Sequence, residues 1–127
     1  KRDLMLKNAL EIESPIAHIQ KVYPHDFVGY DFQYEVKEKG YVYILPLGYA
    51  NGWGRFVKSY AFFENIYLEQ EGTISIDYTA YFSTQKIKKD TILELVSLHV
   101  PIEQLADYNR ISIYEILTRL RLKRIYL

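Results

Sequence analysis

The chain has 127 residues, enough for one domain with a hydrophobic core. Its 16 Lys and Arg residues balance its 16 Asp and Glu residues, which argues against a basic surface for nucleic acid or anionic membrane. It contains no Cys, so disulfide frameworks, thiolate zinc sites and cysteine nucleophiles are excluded.

Neither a membrane span nor a secretory signal is visible in the sequence. No apolar stretch approaches the roughly 20 residues that a transmembrane helix needs. The lack of Cys fits a reducing compartment, and we expect a cytoplasmic location. The sequence begins at Lys1 without an initiator Met, so we interpret the chain as a segment of a longer protein.

The first half of the chain is predicted to form β-strands, and the 13 tyrosines of the whole sequence favour β structure. Residues 14–23 read as a short strand broken by Pro24. Residues 30–36 alternate aromatic and polar side chains, the pattern of a half-buried strand. A polar turn at 37–40 then leads into the apolar run 41–47, a strand buried on both faces.

The second half begins with a turn rich in glycine at 48–55, where Asn51-Gly52 is a strong turn signal. Further strands are predicted at 61–68, 73–82 and 91–98. Short strands at this spacing are typical of a sandwich or a barrel.

Helical signals appear only near the C-terminus. Pro101 suits the first turn of a helix, and Ser112 with Glu115 forms a capping box for a second one. Residues 124–127 return to strand character. We therefore predict a mostly β fold with short helices near the C-terminus. The apolar face of the second helix comprises Ile113, Ile116, Leu117 and Leu120.

Four stretches together resemble the C-terminal domain of alanine racemases. Residues 6–22 look like the opening strand of that domain, and residues 28–34 (VGYDFQY) are similar to the family's V-(G/S)-Y-x-x-x-Y. Residues 45–55 (LPLGYANGWGR) closely follow I-P-(L/I)-G-Y-A-D-G-x-x-R. Residues 113–126 resemble S-Y-E-(I/V)-L-T followed by R-V-P-R-(I/V)-Y. The order and spacing agree over nearly the whole chain, which implies a small β-barrel domain of this type.

This resemblance implies an enzyme that depends on pyridoxal phosphate (PLP) and interconverts L- and D-alanine, a small amino-acid substrate. In the family an N-terminal (β/α)8 barrel binds PLP through a lysine, and the C-terminal domain of a second subunit closes the site in a head-to-tail homodimer. The D-alanine is destined for peptidoglycan. No segment here resembles the family's PLP-lysine motif, so we expect residues 1–127 to be the C-terminal domain alone, inactive without its barrel.

The resemblance also assigns site residues. Tyr30 matches the tyrosine that moves a proton on one face of the substrate, opposite the lysine. Tyr49 matches a tyrosine that lines the substrate access path, and Arg55 an arginine farther out along it. Ile76 stands where a backbone N–H meets the substrate carboxylate, and Asp77 keeps the acidic residue beside it.

Three departures from the family pattern bear on these assignments. Thr73 replaces an arginine and removes a positive charge from the substrate channel. Asn51 replaces the aspartate of the turn, a mild change because both residues accept the same backbone conformation. The stretch between Leu120 and Lys123 is shorter than in the family, and a phosphate-contacting tyrosine found there in some members has no counterpart.

Other functions remain open at this point. A serine or broad-specificity racemase, including the membrane-tethered resistance type, would suit the change at Thr73. A non-catalytic β-barrel interaction module would keep the fold without the chemistry. An oligosaccharide- or nucleic-acid-binding barrel is disfavoured by the neutral charge. No metal site is expected, because the histidines lack ligand spacing; they are His18, His25 and His99.

Overall fold

The computed structural model describes residues 11–28, 34–54, 56–72 and 74–120. Within these ranges strands dominate, and both helices lie in the C-terminal third of the sequence. The strands are β1 (Ile12–Pro15), β2 (His18–Val22), β3 (Phe27–Val28), β4 (Tyr34–Glu35), β5 (Gly40–Leu45), β6 (Tyr60–Phe63), β7 (Ile66–Gln70), β8 (Thr79–Ser83) and β9 (Ile92–Val96). The helices are α1 (Ile102–Asn109) and α2 (Ile113–Arg119). The predicted mostly β fold with short C-terminal helices is confirmed.

The main sheet has seven strands in the order β1-β9-β6-β7-β8-β5-β2, and every neighbouring pair is antiparallel. Its two edge strands, β1 and β2, follow one another along the chain and are separated only by Ile16 and Ala17. The Ile16 N–H donates to the Thr91 carbonyl at 3.1 Å, and the Ala17 N–H to the Ile44 carbonyl at 2.8 Å. The sheet therefore curls until its two edges meet at this bend.

The interior of the curled sheet is filled by side chains from alternating strand positions. Along β8, Thr79, Tyr81 and Ser83 are buried, whereas Ala80 and Phe82 between them are partly exposed, as the pleat requires. Trp53 comes from the loop after β5 and is completely buried. Its ring meets that of Phe56 edge to face, with centroids 5.0 Å apart.

The two helices cover part of this core. Ile102, Leu105 and Ala106 of α1 are buried, and Ile116 of α2 joins the same cluster. The Glu115 N–H donates to the Ser112 hydroxyl oxygen at 3.0 Å, so Ser112 caps α2 as predicted. Neither helix described by the structure has the length and apolar content required to cross a bilayer.

Three predicted strands were wrong in their extent. Residues 14–23 contain the end of β1 and all of β2, separated by the bend at Ile16 and Ala17. The predicted strand at 73–82 is strand only from Thr79, because Ser75 and Tyr78 close a turn before it. Residues 61–68 form two strands, β6 and β7, joined by a tight turn at Glu64-Asn65. Both turn residues adopt positive φ, 43° and 69°, the conformation of a two-residue hairpin turn that matches strand twist. The segment contains no glycine, so the local sequence gave little sign of the turn. The predicted strand at 124–127 lies outside the described residues.

Candidate functional site

The structure describes three of the predicted site residues, namely Tyr49, Ile76 and Asp77. Arg55 and Thr73 lie outside the described residues, as does Tyr30, which belongs to the segment connecting β3 and β4. Its role stays a prediction. Among the described residues, Tyr49 is predicted on the access path, and Ile76 and Asp77 are predicted at the carboxylate contact.

A 3-10 turn covers Tyr49–Asn51, shortly after β5 ends at Leu45. The Gly48 N–H donates to the Asn51 side-chain oxygen at 3.1 Å, and the Gly52 N–H donates to the Tyr49 carbonyl at 3.0 Å. Gly52 has a φ of 79°, which favours glycine. An aspartate at position 51 could accept the same hydrogen bond, so the Asn51 departure preserves the turn.

Ile76 and Asp77 occupy the middle of a second tight turn, closed by Ser75 and Tyr78. The Ser75 N–H donates to the Tyr78 carbonyl at 3.0 Å, and the Tyr78 N–H donates to the Ser75 hydroxyl oxygen, also at 3.0 Å. This closure leaves Ile76 and Asp77 exposed at the surface. Ser75 was not singled out by the sequence, although serine is a residue that commonly stabilises turns in this way.

The two turns are in direct contact. Leu45 at the end of β5 pairs with Thr79 at the start of β8, so the segment after β5 runs beside the segment before β8. The Tyr49 N–H donates to the Ser75 carbonyl at 3.1 Å, and the Ala50 N–H donates to the Ile76 carbonyl at 2.9 Å. Tyr49, Ile76 and Asp77 are therefore brought together at one end of the sheet.

The Ile76 N–H belongs to the second turn. It makes no hydrogen bond within the described part of the chain, and the Ile76 side chain is 52% exposed. A backbone N–H on a rigid turn can donate to a carboxylate oxygen, and such charge-assisted hydrogen bonds are among the stronger ones. Because the predicted donor is a backbone group, the prediction does not depend on whether the side chain is isoleucine or the family's methionine.

Behind these turns lies a buried polar network that the sequence analysis missed. The Ser59 hydroxyl lies 2.6 Å from the Gln70 side-chain oxygen and 2.7 Å from the Tyr81 hydroxyl. The Gln70 amide nitrogen donates to the carbonyls of Phe56 and Gly72. Strand alternation was the sequence signal that could have identified Gln70 as buried, since it shares a face with the buried Leu68.

Burial raises the pKa of Tyr81 to about 12 from 10.0, because a phenolate is poorly solvated there. The hydrogen bond with the Ser59 hydroxyl opposes part of this rise in the pKa of Tyr81. The indole N–H of Trp53 is buried, and its geometry satisfies a hydrogen bond with none of the described residues. Tyr81 therefore stays neutral and acts as a structural hydroxyl.

The three histidines do not converge. His25 Nδ1 lies 2.7 Å from a Glu35 carboxylate oxygen, and His99 Nδ1 lies 3.0 Å from one of Glu94. His18 is on β2, in a different part of the sheet. Among residues 11–28, 34–54, 56–72 and 74–120, no three His, Cys, Asp or Glu side chains are grouped to hold a metal ion.

Comparison with known proteins identifies the family to which the chain is similar. The family described as alanine racemase, C-terminal domain, matches residues 9–126. Alanine racemase from Streptococcus equi subsp. zooepidemicus (strain H70) is 31% identical over 117 residues, which cover 88% of this chain and 32% of the relative.

Two solved structures share the fold. Alanine racemase from Acinetobacter baumannii superposes with a TM-score of 0.85 at 23% identity, covering 98% of this chain and 36% of that one. Alanine racemase from Bartonella henselae, solved with covalently bound pyridoxal phosphate, has a TM-score of 0.83 at 27% identity, with 92% and 34% covered. The chain thus spans about a third of the length of the proteins it matches. By these matches it belongs to the alanine racemase C-terminal domain family.

Proposed function

We propose that this chain is the C-terminal domain of a PLP-dependent alanine racemase that interconverts L- and D-alanine. The observation that carries the proposal is the pair of joined turns, which presents beside Tyr49 the Ile76 N–H, a group that bonds no acceptor among the described residues. That arrangement suits the carboxylate of a small amino acid. The cofactor would be held by an N-terminal barrel, because residues 1–127 contain no PLP-lysine motif.

In the proposed reaction PLP, when bound, withdraws electrons from the substrate α-carbon and so acidifies its C–H bond. The Ile76 N–H donates to the substrate carboxylate and fixes its orientation. Tyr49 and Arg55 line the access path, and Asp77 adds a negative charge beside the carboxylate contact. Tyr30 removes the proton on one face as the phenolate, which becomes the phenol, and returns a proton to that face as the phenol, which becomes the phenolate.

Tyr30 needs a particular environment for this work. An ordinary tyrosine has a pKa of about 10 and is neutral near pH 7. Positive charge or hydrogen bonds to its oxygen would have to stabilise the ionised form. We propose that the barrel of the partner subunit supplies them, and that the intact protein is a cytoplasmic head-to-tail homodimer that makes D-alanine for peptidoglycan.

The test uses the intact protein with PLP and measures racemisation from L-alanine and from D-alanine separately. Tyr30→Phe should lower kcat by at least about a hundredfold in one or both directions, the usual scale for losing an acid/base group. Tyr23→Phe, at a tyrosine that precedes β3 and is 47% exposed, is the matched control. Unchanged rates for Tyr30→Phe in both directions would contradict the assignment.

The contribution of Tyr30 to the partner subunit can be tested by complementation. Two inactive variants are mixed, one with Tyr30→Phe and one whose barrel lysine is replaced by alanine. In a mixed dimer with sites shared between subunits, one site contains both native groups, so activity should return. No recovery after verified subunit exchange would contradict sharing between subunits.

Substrate breadth is the second question that the chain raises. Thr73 in place of the family arginine leaves the channel with less positive charge, which favours a serine or broad-specificity racemase as the alternative. Comparing kcat/KM for alanine and serine on the intact protein separates the two. An intact protein that racemises neither amino acid would support the non-catalytic interaction module.

A further inference from the structure

Gln70 is buried yet fully engaged in hydrogen bonds. Only 8% of it is exposed, and its side-chain nitrogen donates to the Phe56 carbonyl at 2.7 Å and to the Gly72 carbonyl at 3.0 Å. Its side-chain oxygen accepts from the Ser59 hydroxyl at 2.6 Å. Burying an amide is costly unless such partners are present, so the geometry of these three groups is tightly specified.

The two carbonyls that Gln70 binds belong to different site segments. Phe56 directly follows Arg55, and Gly72 directly precedes Thr73 in the stretch that leads to Ile76. One amide group therefore bridges the segment that contains the predicted access-path arginine and the segment that contains the predicted carboxylate contact. A backbone hydrogen bond also holds Gln70 in place, since its N–H donates to the Ser59 carbonyl at 3.0 Å.

Strand β8 supports the bridge from behind. The Tyr81 hydroxyl lies 2.7 Å from the Ser59 hydroxyl, which in turn contacts Gln70. Two residues earlier on the same face, the Thr79 hydroxyl donates to the Leu47 carbonyl, just before Gly48 and Tyr49. Thr79 on the buried face of β8 therefore holds the Tyr49 turn directly. Tyr81 on the same face reaches the other two segments through Ser59 and Gln70.

We propose that Gln70 is a positioning residue that sets the spacing between the Phe56 carbonyl and the Gly72 carbonyl, and so between the two site segments to which they belong. The inference rests on the proposed racemase function and assigns Gln70 no contact with substrate. Both segments are predicted to face the bound amino acid before any proton moves. Loosening them should therefore weaken substrate binding more than it slows the chemical step.

The test compares wild type, Gln70→Met and the control Gln20→Met in the intact protein with PLP. Methionine matches glutamine in size but donates no hydrogen bond. Gln20 lies exposed on β2, away from both segments. For Gln70→Met we expect KM for alanine to rise about tenfold with kcat within about twofold of wild type, the loss that one or two hydrogen bonds predict.

Hydrogen exchange on the same proteins supplies a readout that does not depend on activity. Amides in residues 53–58 and 72–78 should exchange faster in Gln70→Met, whereas those of β2 and β5 should not change. If Gln70→Met does not fold, Ser59→Ala replaces it, since it removes the hydroxyl that contacts the Gln70 oxygen and Tyr81 but keeps both hydrogen bonds of the Gln70 nitrogen. A KM increase of about threefold is then expected.

Several outcomes would overturn the inference. These are an unchanged KM, a fall in kcat with unchanged KM, or exchange equal to wild type in both segments. An inactive wild-type protein would instead refute the proposed function, and faster exchange confined to the two segments would then show that the bridge exists without serving a racemase.

Discussion

The backbone of Gly48 lies against the backbone carbonyl of Ile76 with no room for a side chain. A Cβ added to Gly48 would lie 2.3 Å from that oxygen and 2.4 Å from the Ser75 carbonyl oxygen. This approach allows the Tyr49 and Ala50 N–H groups to reach the opposite turn. The glycine before Tyr49 is thus required by the partner turn, in addition to any preference of its own turn.

Gly48→Ala should separate the two turns. Because the atoms in the way are backbone oxygens held by their own hydrogen bonds, we expect a loss of stability of about 2 kcal/mol or more, together with a higher KM for alanine in the intact protein. Thermal unfolding and steady-state kinetics measure the two effects. Gly54→Ala is the control, since its Cβ would meet the Phe56 ring edge at 2.9 Å, which can move more easily. Equal behaviour of the two variants would contradict this account.

Asn109 at the end of α1 ties the helix to the segment after Phe56. Its side-chain oxygen accepts from the N–H groups of Val57 and Lys58 at 2.8 and 3.2 Å, and its nitrogen donates to the Lys58 carbonyl at 2.7 Å. Asn109→Ala should lower the free energy of unfolding by about 1–3 kcal/mol, because several backbone groups lose their partner together. Denaturant unfolding measures this loss, with the exposed Asp107→Ala as control. A change below about 0.5 kcal/mol would mean that water replaces the amide.

Tyr81 should make the fold sensitive to alkaline pH. Its pKa is raised to about 12 by burial, whereas in the unfolded chain it is 10.0. Its full contribution is therefore present below pH 10 and is lost as pH rises toward 12, since the unfolded state releases the proton first. The loss is on the order of 3 kcal/mol. The stability of Tyr81→Phe should fall less steeply over this window than that of wild type. Parallel curves, or the same flattening for exposed Tyr67→Phe, would count against it.

Glu94 should make the stability of the fold sensitive to acidic pH. Burial alone would raise its pKa, but the hydrogen bonds from Ser97 and His99 and the charge of His99 outweigh burial and lower it. A lowered pKa means that the stabilisation is present above the pKa of the unfolded chain and is lost as pH falls through the folded value. Glu94→Gln should therefore be less stable than wild type at pH 7, with the difference shrinking below about pH 4. A difference that stays constant down to pH 3 would contradict this, and Glu69→Gln on β7 is the control.

Local sequence determined the features that depend on neighbours along the chain. The alternation along β8, the Ser112 cap and the turn at Asn51-Gly52 follow from strand periodicity, capping chemistry and left-handed backbone preference. The motif at 45–55 also indicated the family from the sequence alone. These signals are readable because each one involves residues close together in the chain.

Tertiary structure alone decided how distant segments meet. The pairing of Leu45 with Thr79 sets the Tyr49 turn against Ile76, and this register arises from the packing of the whole sheet. The bridge made by Gln70 joins carbonyls from two loops, so its partners could not be inferred from its own neighbours. The sequence by itself thus determined the family and most of the elements. The contact between Gly48 and Ile76, and with it the shape of the candidate site, required the folded chain because long-range register sets which backbones touch.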